Sequence, residues 1–487
     1  MKQDLRRGSD ERLVRTSRQW AHAVLRSSCR PVLSFRRMRA SLQHVLSRAA
    51  ALIIRLSDMA EANPRRAWMC ALVAVLVVVG WETAFWPLNH YPGAIWHKSP
   101  RGLDIEIPQQ KAAHMGWPEL ASYWVGGQIE GNGYYRPLTS WLFVGEYHLF
   151  GTNDAAWSNV NIFLHLSAIV AVLWFVALIR PGPLLARLAT GALACVFIGG
   201  PWFADRQVHY WTIGWWPAQP ENITLLCTLG MLGSVVLYTR TGRRRYATLL
   251  PLLLLIGVCF KEMTYVGGIG ACLFLVRQRK QWKLLFGFAS FMAALLIFRH
   301  FVLPDGQGLL IRPGHFQRFA ILSMSSLVAM GDSFTWSDRI ALISALVAAT
   351  GAGKLFRKTW NWCVWGSVLV AVYAGVGLAL TDASVFAANA VTLLEVLFYL
   401  AVAYCLIRRA RHWPVPELIL LYFGASWVVA GYPPYFGWYR LWPGVFASIL
   451  AAIAWAEWLG AGWKRLRQSS PIAQRVPTCD PAAIAVS

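Results

Sequence analysis

The chain has 487 residues, of which 56% are apolar and only 14% charged, and it carries a net charge of +23. A soluble domain carries about 25% charged residues, so this balance argues against a water-soluble globular fold. It also argues against a spanning β-barrel, which reads as segments of about 10 alternating residues, and against nucleic-acid binding, because no basic element stands apart from the apolar runs.

Residues 1–66 alternate Arg with short apolar patches, as in Val24-Leu25-Arg26 and Ala51-Leu52-Ile53-Ile54-Arg55. They read as amphipathic helices on an anionic inner leaflet or as a disordered basic cytoplasmic segment. A start at Met38 or Met59 would also leave a complete first span. No early apolar stretch with a small-residue cleavage site is visible, so no cleavable signal peptide is expected.

Apolar runs approaching the roughly 20 residues needed to cross hydrocarbon as a helix then recur over 67–86, 157–179, 184–204, 221–239, 246–260, 263–277, 281–302, 338–353, 360–381, 386–407, 415–431 and 441–461. The expected fold class is all-α: a polytopic transmembrane helix bundle of about 12 spans within 67–467. The connections alternate in character. Arg180–Arg187, Arg240–Arg245, Arg277–Lys283, Lys354–Lys358, Arg408–Arg411 and Lys464–Arg467 are basic, and excess Lys and Arg in short flanking segments marks the cytoplasmic side. Both termini, including the tail 468–487, are thereby assigned to the cytoplasm of an inner (plasma) membrane protein. Making Phe319–Met330 a thirteenth span would put Lys354–Lys358 outside, so that run is expected to be a surface or half-membrane helix.

The first outer loop, 87–156, is too long for a connector. Its Trp96, Trp117, Trp124, Tyr134, Tyr135 and Trp141 suit short helices at headgroup level. The nine cysteines lie mostly inside apolar runs without metal or redox spacing and read as small core hydrophobes.

Charged and aromatic groups collect at the outer loop bases: Asp104, Glu106, Glu130, Tyr134, Tyr135 and Arg136, then Asp205, Arg206, His209, Glu221 and Asn222, then Lys261 and Glu262, then Tyr439 and Arg440. Ionisable groups beside spans normally face a cavity or one another. A carboxylate there can act as general base toward a hydroxyl, and Arg can hold a phosphate bidentately. Each has a plainer reading. Asp104 and Glu106 are also what a solvated loop would carry. Tyr134-Tyr135-Arg136-Pro137 also suits an interfacial anchor with Pro opening a helix. Lys261-Glu262 reads equally as a substrate contact or as a structural ion pair closing a tight turn. Asn161 and His165, spaced i, i+4, read as an inter-helix hydrogen bond, and Glu395 as a protonated packing residue.

The stretch Tyr134-Tyr135-Arg136-Pro137-Leu138-Thr139, followed by Phe150-Gly151 and Asn161-x3-His165, resembles the membrane part of the transmembrane-and-tetratricopeptide O-mannosyltransferase-like proteins, within the GT-C superfamily. Phe260-Lys261-Glu262 is similar to that family's turn between two spans, and Tyr439-Arg440-Leu441-Trp442-Pro443 to a degenerate form of its late Arg-Tyr-Leu-x-Leu-Pro segment. The resemblance implies a GT-C-like bundle with a large first outer loop, a polyprenyl-phosphate-linked sugar donor, and an acidic pair as catalytic base, to which Asp104-Ile105-Glu106 is the nearest counterpart. Tyr135, Arg136, Arg206, His209, Lys261, Glu262, Tyr439 and Arg440 are the implied donor-phosphate or substrate contacts. The family's His-Pro-x-His-x-Glu segment is altered to Gly200-Pro201-Trp202-Phe203-Ala204-Asp205, and no tetratricopeptide repeats follow the last span.

The expectation is an inverting transferase at the outer face, passing sugar to a glycan, lipid or protein acceptor. A divalent metal is compatible with that chemistry, but no ligand cluster is visible in the sequence. A non-catalytic lipid-linked-glycan transporter, or a polymerase or ligase partner in cell-surface polysaccharide assembly, remains the alternative.

Overall fold

A computed structural model of the chain describes residues 48–49, 51–90, 103–126, 134–199, 216–277, 281–303, 409, 411–430 and 441–469. The elements are α1 (Pro64–His90), α2 (Leu103–Ala113), α3 (Trp117–Ser122), α4 (Pro137–Phe150), α5 (Asp154–Ile179), α6 (Leu184–Gly199), α7 (Gln219–Thr241), α8 (Arg244–Phe260), α9 (Thr264–Arg277), α10 (Trp282–Val302), α11 (Val415–Ala430) and α12 (Leu441–Ser469). All are helical, in keeping with a fold that satisfies backbone hydrogen bonds within each segment.

Among the described residues, four helices are long and apolar enough to cross a membrane: α5, α7, α10 and the first twenty residues of α12; a fifth is reached if Ala51–Ala62 is counted with Pro64–Gly80. Three more apolar helices, Leu184–Ile198, Thr264–Arg277 and Val415–Val429, are shorter. At 1.5 Å per residue they reach about 20–25 Å, less than the roughly 30 Å of hydrocarbon. The expected runs at 338–353, 360–381, 386–407 and Phe319–Met330, with Glu395, lie outside the described residues.

The chain divides into two compact units. The smaller contains residues 1–62 and 459–487, and within it the helix Ala51–Ala62 leaves Leu52, Leu56 and Met59 exposed at i, i+4 and i+7, an apolar stripe. The larger, Asn63–Trp458, is layered around α5 and α7. Helix α5 packs on α6, α7 and α1, while α7 also packs on α8 and α9, and α9 continues onto α10 and α11. Close approach depends on small residues: a methyl built on Gly191 of α6 would come within 2.8 Å of the Leu173 carbonyl oxygen of α5. Gly242 adopts φ 66° to end α7, its N–H bonding the Tyr238 carbonyl at 2.8 Å. Phe163, Phe286 and Phe301 are exposed on the outside of the unit, as suits a membrane helix bundle.

The two ends of this unit differ chemically. At one end Arg180 and Arg409 flank Glu457 at 3.6 and 2.6 Å, and Arg277 pairs with Glu417 at 3.1 Å. Arg187 bonds the Ala177 carbonyl there at 2.6 Å. The opposite ends of α7, α8, α9, α10 and α12 carry the candidate site.

Helices run through the described part of 87–156. Helix α1 continues to His90, α2 contains Asp104 and Glu106, and α5 begins at Asp154. Positions 104 and 106 thus fall within a helix of the 87–156 segment. Helical hydrogen bonding is compatible with Leu103-Asp104-Ile105-Glu106, which lacks Gly or an internal Pro until Pro108. Residues two apart lie about 200° apart around a helix axis, so the two positions do not share a face.

Candidate functional site: a buried charge cluster at one end of the bundle

Pro137 opens α4 at its first position, where a missing N–H costs nothing. That fixes Arg136 as the residue before the helix, with its carbonyl receiving the Ser140 N–H at 3.2 Å. Its guanidinium lies 4.3 Å from the Tyr134 ring centroid, and donates through Nε and Nη2 to the two Glu262 oxygens at 3.0 and 2.5 Å. Both side chains are buried. This bidentate fork joins the start of α4 to the turn between α8 and α9.

That turn is held from both sides. Its Lys261 N–H bonds the Gly257 carbonyl at 2.8 Å, and the Lys261 carbonyl accepts the Thr264 N–H and hydroxyl at 3.2 and 3.0 Å. From α4, the Thr139 hydroxyl donates to the Phe260 carbonyl at 2.8 Å, satisfying an end-of-helix acceptor. Lys261 reaches past the turn to a neighbouring helix. Its ammonium bonds Glu221 of α7, whose other oxygen accepts the Trp442 Nε1–H of α12 at 2.9 Å. Both ions of the turn thus have cross-helix partners, Glu262 with Arg136 and Lys261 with Glu221.

Burial sets the electrostatics. Desolvation opposes ionisation of Glu262, but the Arg136 guanidinium outweighs it and holds the carboxyl well below the usual carboxylate range. Burial pulls the Lys261 ammonium down, against the pull of Glu221. Burial pushes the Tyr135 phenol up to about 12, reinforced by Cys259; its hydroxyl donates to the Trp124 carbonyl at 3.2 Å.

A polar ladder extends inward from the cluster. Gln219 Nε2 donates to Glu146 at 3.2 Å and to the Trp157 carbonyl at 3.1 Å. Burial pushes the Glu146 carboxyl up to about 8, against the hydrogen bond from Gln219. One helical turn on, Asn222 Nδ2 donates to Asn161 Oδ1 at 3.0 Å, and its Oδ1 accepts from His165 Nδ1 at 3.1 Å. With Asn222 Nδ2 committed to Asn161, His165 Nδ1 is the donor in this pair. Asn161 and His165 thus form the inter-helix hydrogen bonding expected of them, with Asn222 as the shared partner.

Helix α2 packs on α4, and Gln109 Nε2 bonds Asp154 at 3.1 Å. The helix carrying Asp104 and Glu106 is therefore docked on the helix that Arg136 begins. The side chains of Asp104 and Glu106, and the whole of Arg206, His209, Tyr439 and Arg440, lie outside the described residues. Trp442, Glu146 and Gln219 were not singled out from the sequence as site residues. For Glu146 the available signal was an acid inside the apolar run Trp141–Phe150. Among the described residues no three His, Cys, Asp or Glu side chains gather as a metal site. The chain matches no protein-family model and no curated protein.

Proposed function

We propose that this protein is a membrane glycosyltransferase of the GT-C type, using a polyprenyl-phosphate-linked sugar at the outer face of the inner membrane. The observation that carries the reading is the convergence of three segments of the resemblance on one cluster: Arg136 meets Glu262, Lys261 meets Glu221, and Glu221 meets Trp442. Segments 126 and 221 residues apart in sequence have no local reason to share charges. In this reading the paired ions hold the outer ends of the helices around a donor site. The basic end of the bundle faces the cytoplasm, with both termini.

The acceptor hydroxyl attacks the anomeric carbon as the bond to the phosphate oxygen breaks. The electron pair leaves with the polyprenyl phosphate, and a carboxylate on α2, Asp104 or Glu106, takes the hydroxyl proton. Acceptors of this chemistry are glycans, lipids or proteins bearing a free hydroxyl. The test is transfer of radiolabelled sugar from a polyprenyl-phosphate donor by the purified full chain in proteoliposomes. Label appearing on an acceptor supports transfer; donor binding without turnover supports the carrier or assembly reading. The internal neutralisation of Arg136 and Lys261 by protein carboxylates is what favours that second reading.

A further inference from the structure

Between α1 and α5 the larger unit carries an apolar groove of about 440 Å³. Its walls include Trp68, Met69 and Leu72 from α1 and Ser167, Ala171 and Trp174 from α5. The Trp174 ring is held in place by α7, where a methyl group on Gly233 would strike it. Ser167 already donates its hydroxyl to the Phe163 carbonyl at 2.8 Å, so it demands no polar partner from an occupant. Met69 stands exposed at the rim.

Depth and charge specify what fits. Trp68 also packs with Ala177, Leu184 and Leu188, at the end of the unit that carries Arg180 and Arg187. From there the groove runs inward as far as Ser167. That residue lies about 18 Å from the end of α5 at Ile179, at 1.5 Å per residue. Half of the hydrocarbon layer is about 15 Å. The groove therefore has the reach of one acyl chain in the leaflet at the basic end. Arg65 continues its wall, because Arg65, Trp68, Met69 and Leu72 stand at i, i+3, i+4 and i+7 on one face of α1. Arg65 and Arg66 are exposed, and neither has an ion-pair partner among the described residues. Cations at the mouth of an apolar slot one leaflet deep match an amphiphile with an anionic head. They disfavour a second copy of a chain whose net charge is +23.

We propose that this groove holds an acyl chain of an anionic phospholipid of the cytoplasmic leaflet, with Arg65 and Arg66 on its headgroup phosphate. The choice of leaflet follows from the proposed orientation of the basic end; the site does not depend on the glycosyltransferase reading. The chain adds dispersion contacts along the groove walls, and each Arg adds attraction for the phosphate. Bound lipid thereby ties α1 to α5 and stabilises the folded unit by mass action.

The test uses the purified full chain in detergent micelles. The probes are dioleoyl phosphatidylglycerol, dioleoyl phosphatidylcholine, dihexanoyl phosphatidylglycerol, and a phosphatidylglycerol carrying a diazirine at the end of one long chain. Irradiation is expected to label residues 68–72 and 167–174. Unfolding midpoints should rise most with the dioleoyl phosphatidylglycerol, less with the phosphatidylcholine, and hardly with the short-chain lipid. Arg65→Gln combined with Arg66→Gln should weaken dioleoyl phosphatidylglycerol about tenfold or more and leave phosphatidylcholine unchanged. Ala171→Phe fills the slot and should abolish labelling there. Met69→Trp narrows it from the rim and carries the comparison if Ala171→Phe does not fold. Label absent from these segments, or spread evenly over the other apolar helices, overturns the site. Equal binding of the two dioleoyl lipids, or no effect of the double Arg variant, overturns recognition of an anionic head. A wild-type dimer that Ala171→Phe or Met69→Trp converts to monomer gives the groove to a second copy and overturns the lipid.

Discussion

Arg136 and Glu262, 126 positions apart in the chain, meet through two parallel hydrogen bonds inside the bundle. Removing one member of such a buried pair strands the other charge, at about 3–5 kcal/mol, whereas replacing both is often close to neutral. Arg136→Gln and Glu262→Gln are each expected to lower stability by that order. The double variant should recover much of the loss. Thermal unfolding in detergent, arranged as a double-mutant cycle, measures it. Additive losses would mean that the pair does not couple α4 to the α8–α9 turn.

Glu221 joins two partners of unequal weight. Trp442→Phe keeps most of the ring but loses one hydrogen bond to a carboxylate, about 1.5–3 kcal/mol. Lys261→Met removes the countercharge of a buried carboxylate and should cost more. Adding Glu221→Gln should relieve the Lys261→Met defect. Equal losses in Trp442→Phe and Lys261→Met would show that Glu221 is solvated rather than dependent on Lys261.

Glu146 gives the unit a pH response of definite sign. Burial raises its carboxyl to about 8 from the usual 4.5. The folded state therefore holds this proton more tightly than the unfolded chain does. The stability it contributes is complete below about 4.5 and is lost as pH rises through about 8. Unfolding midpoints should fall between pH 5 and 8, and Glu146→Gln, which cannot titrate, should flatten that part of the curve. A wild-type slope that survives in Glu146→Gln would assign it to other groups.

Much of the helical layout was legible because apolar length and basic flanks are one-dimensional signals: α5, α7 and α10 begin and end within three residues of the expected runs at 157–179, 221–239 and 281–302. The i, i+4 spacing of Asn161 and His165 likewise announced a shared face. The partner choices were not legible. Nothing local indicates that Lys261 bonds Glu221 rather than the adjacent Glu262, since that depends on how α7, α9 and α12 pack. The helix around Asp104 was missed because its run is short and mixed in polarity, a weak periodic signal.

That helix sharpens the catalytic expectation. Positions 104 and 106 lie about 200° apart around the axis of α2. Only one of Asp104→Asn and Glu106→Gln is therefore expected to abolish sugar transfer, by about 10²–10⁴-fold in turnover, while the other stays within a few-fold of wild type. Equal and severe loss in both folded variants would point instead to a paired site.

The sidedness of the charge cluster is the most direct physical test of the enzyme reading. Helix α7 has Glu221 in its first turn and Arg240 in its last. At 1.5 Å per residue these are about 28 Å apart, close to the thickness of the hydrocarbon layer. The two ends must therefore lie in different interfaces. The positive-inside bias assigns the Arg240–Arg245 end to the cytoplasm. In the proposed orientation, α2, docked on α4, lies on the outer side. His114 and Arg243 are both exposed and stand for the two sides. In a background lacking the exposed Cys70, His114→Cys should react with a membrane-impermeant maleimide on right-side-out vesicles. Arg243→Cys should react only after permeabilisation. The reverse pattern would put the Arg136–Glu262 and Lys261–Glu221 pairs at the cytosolic mouth, where a donor presented from outside cannot reach them.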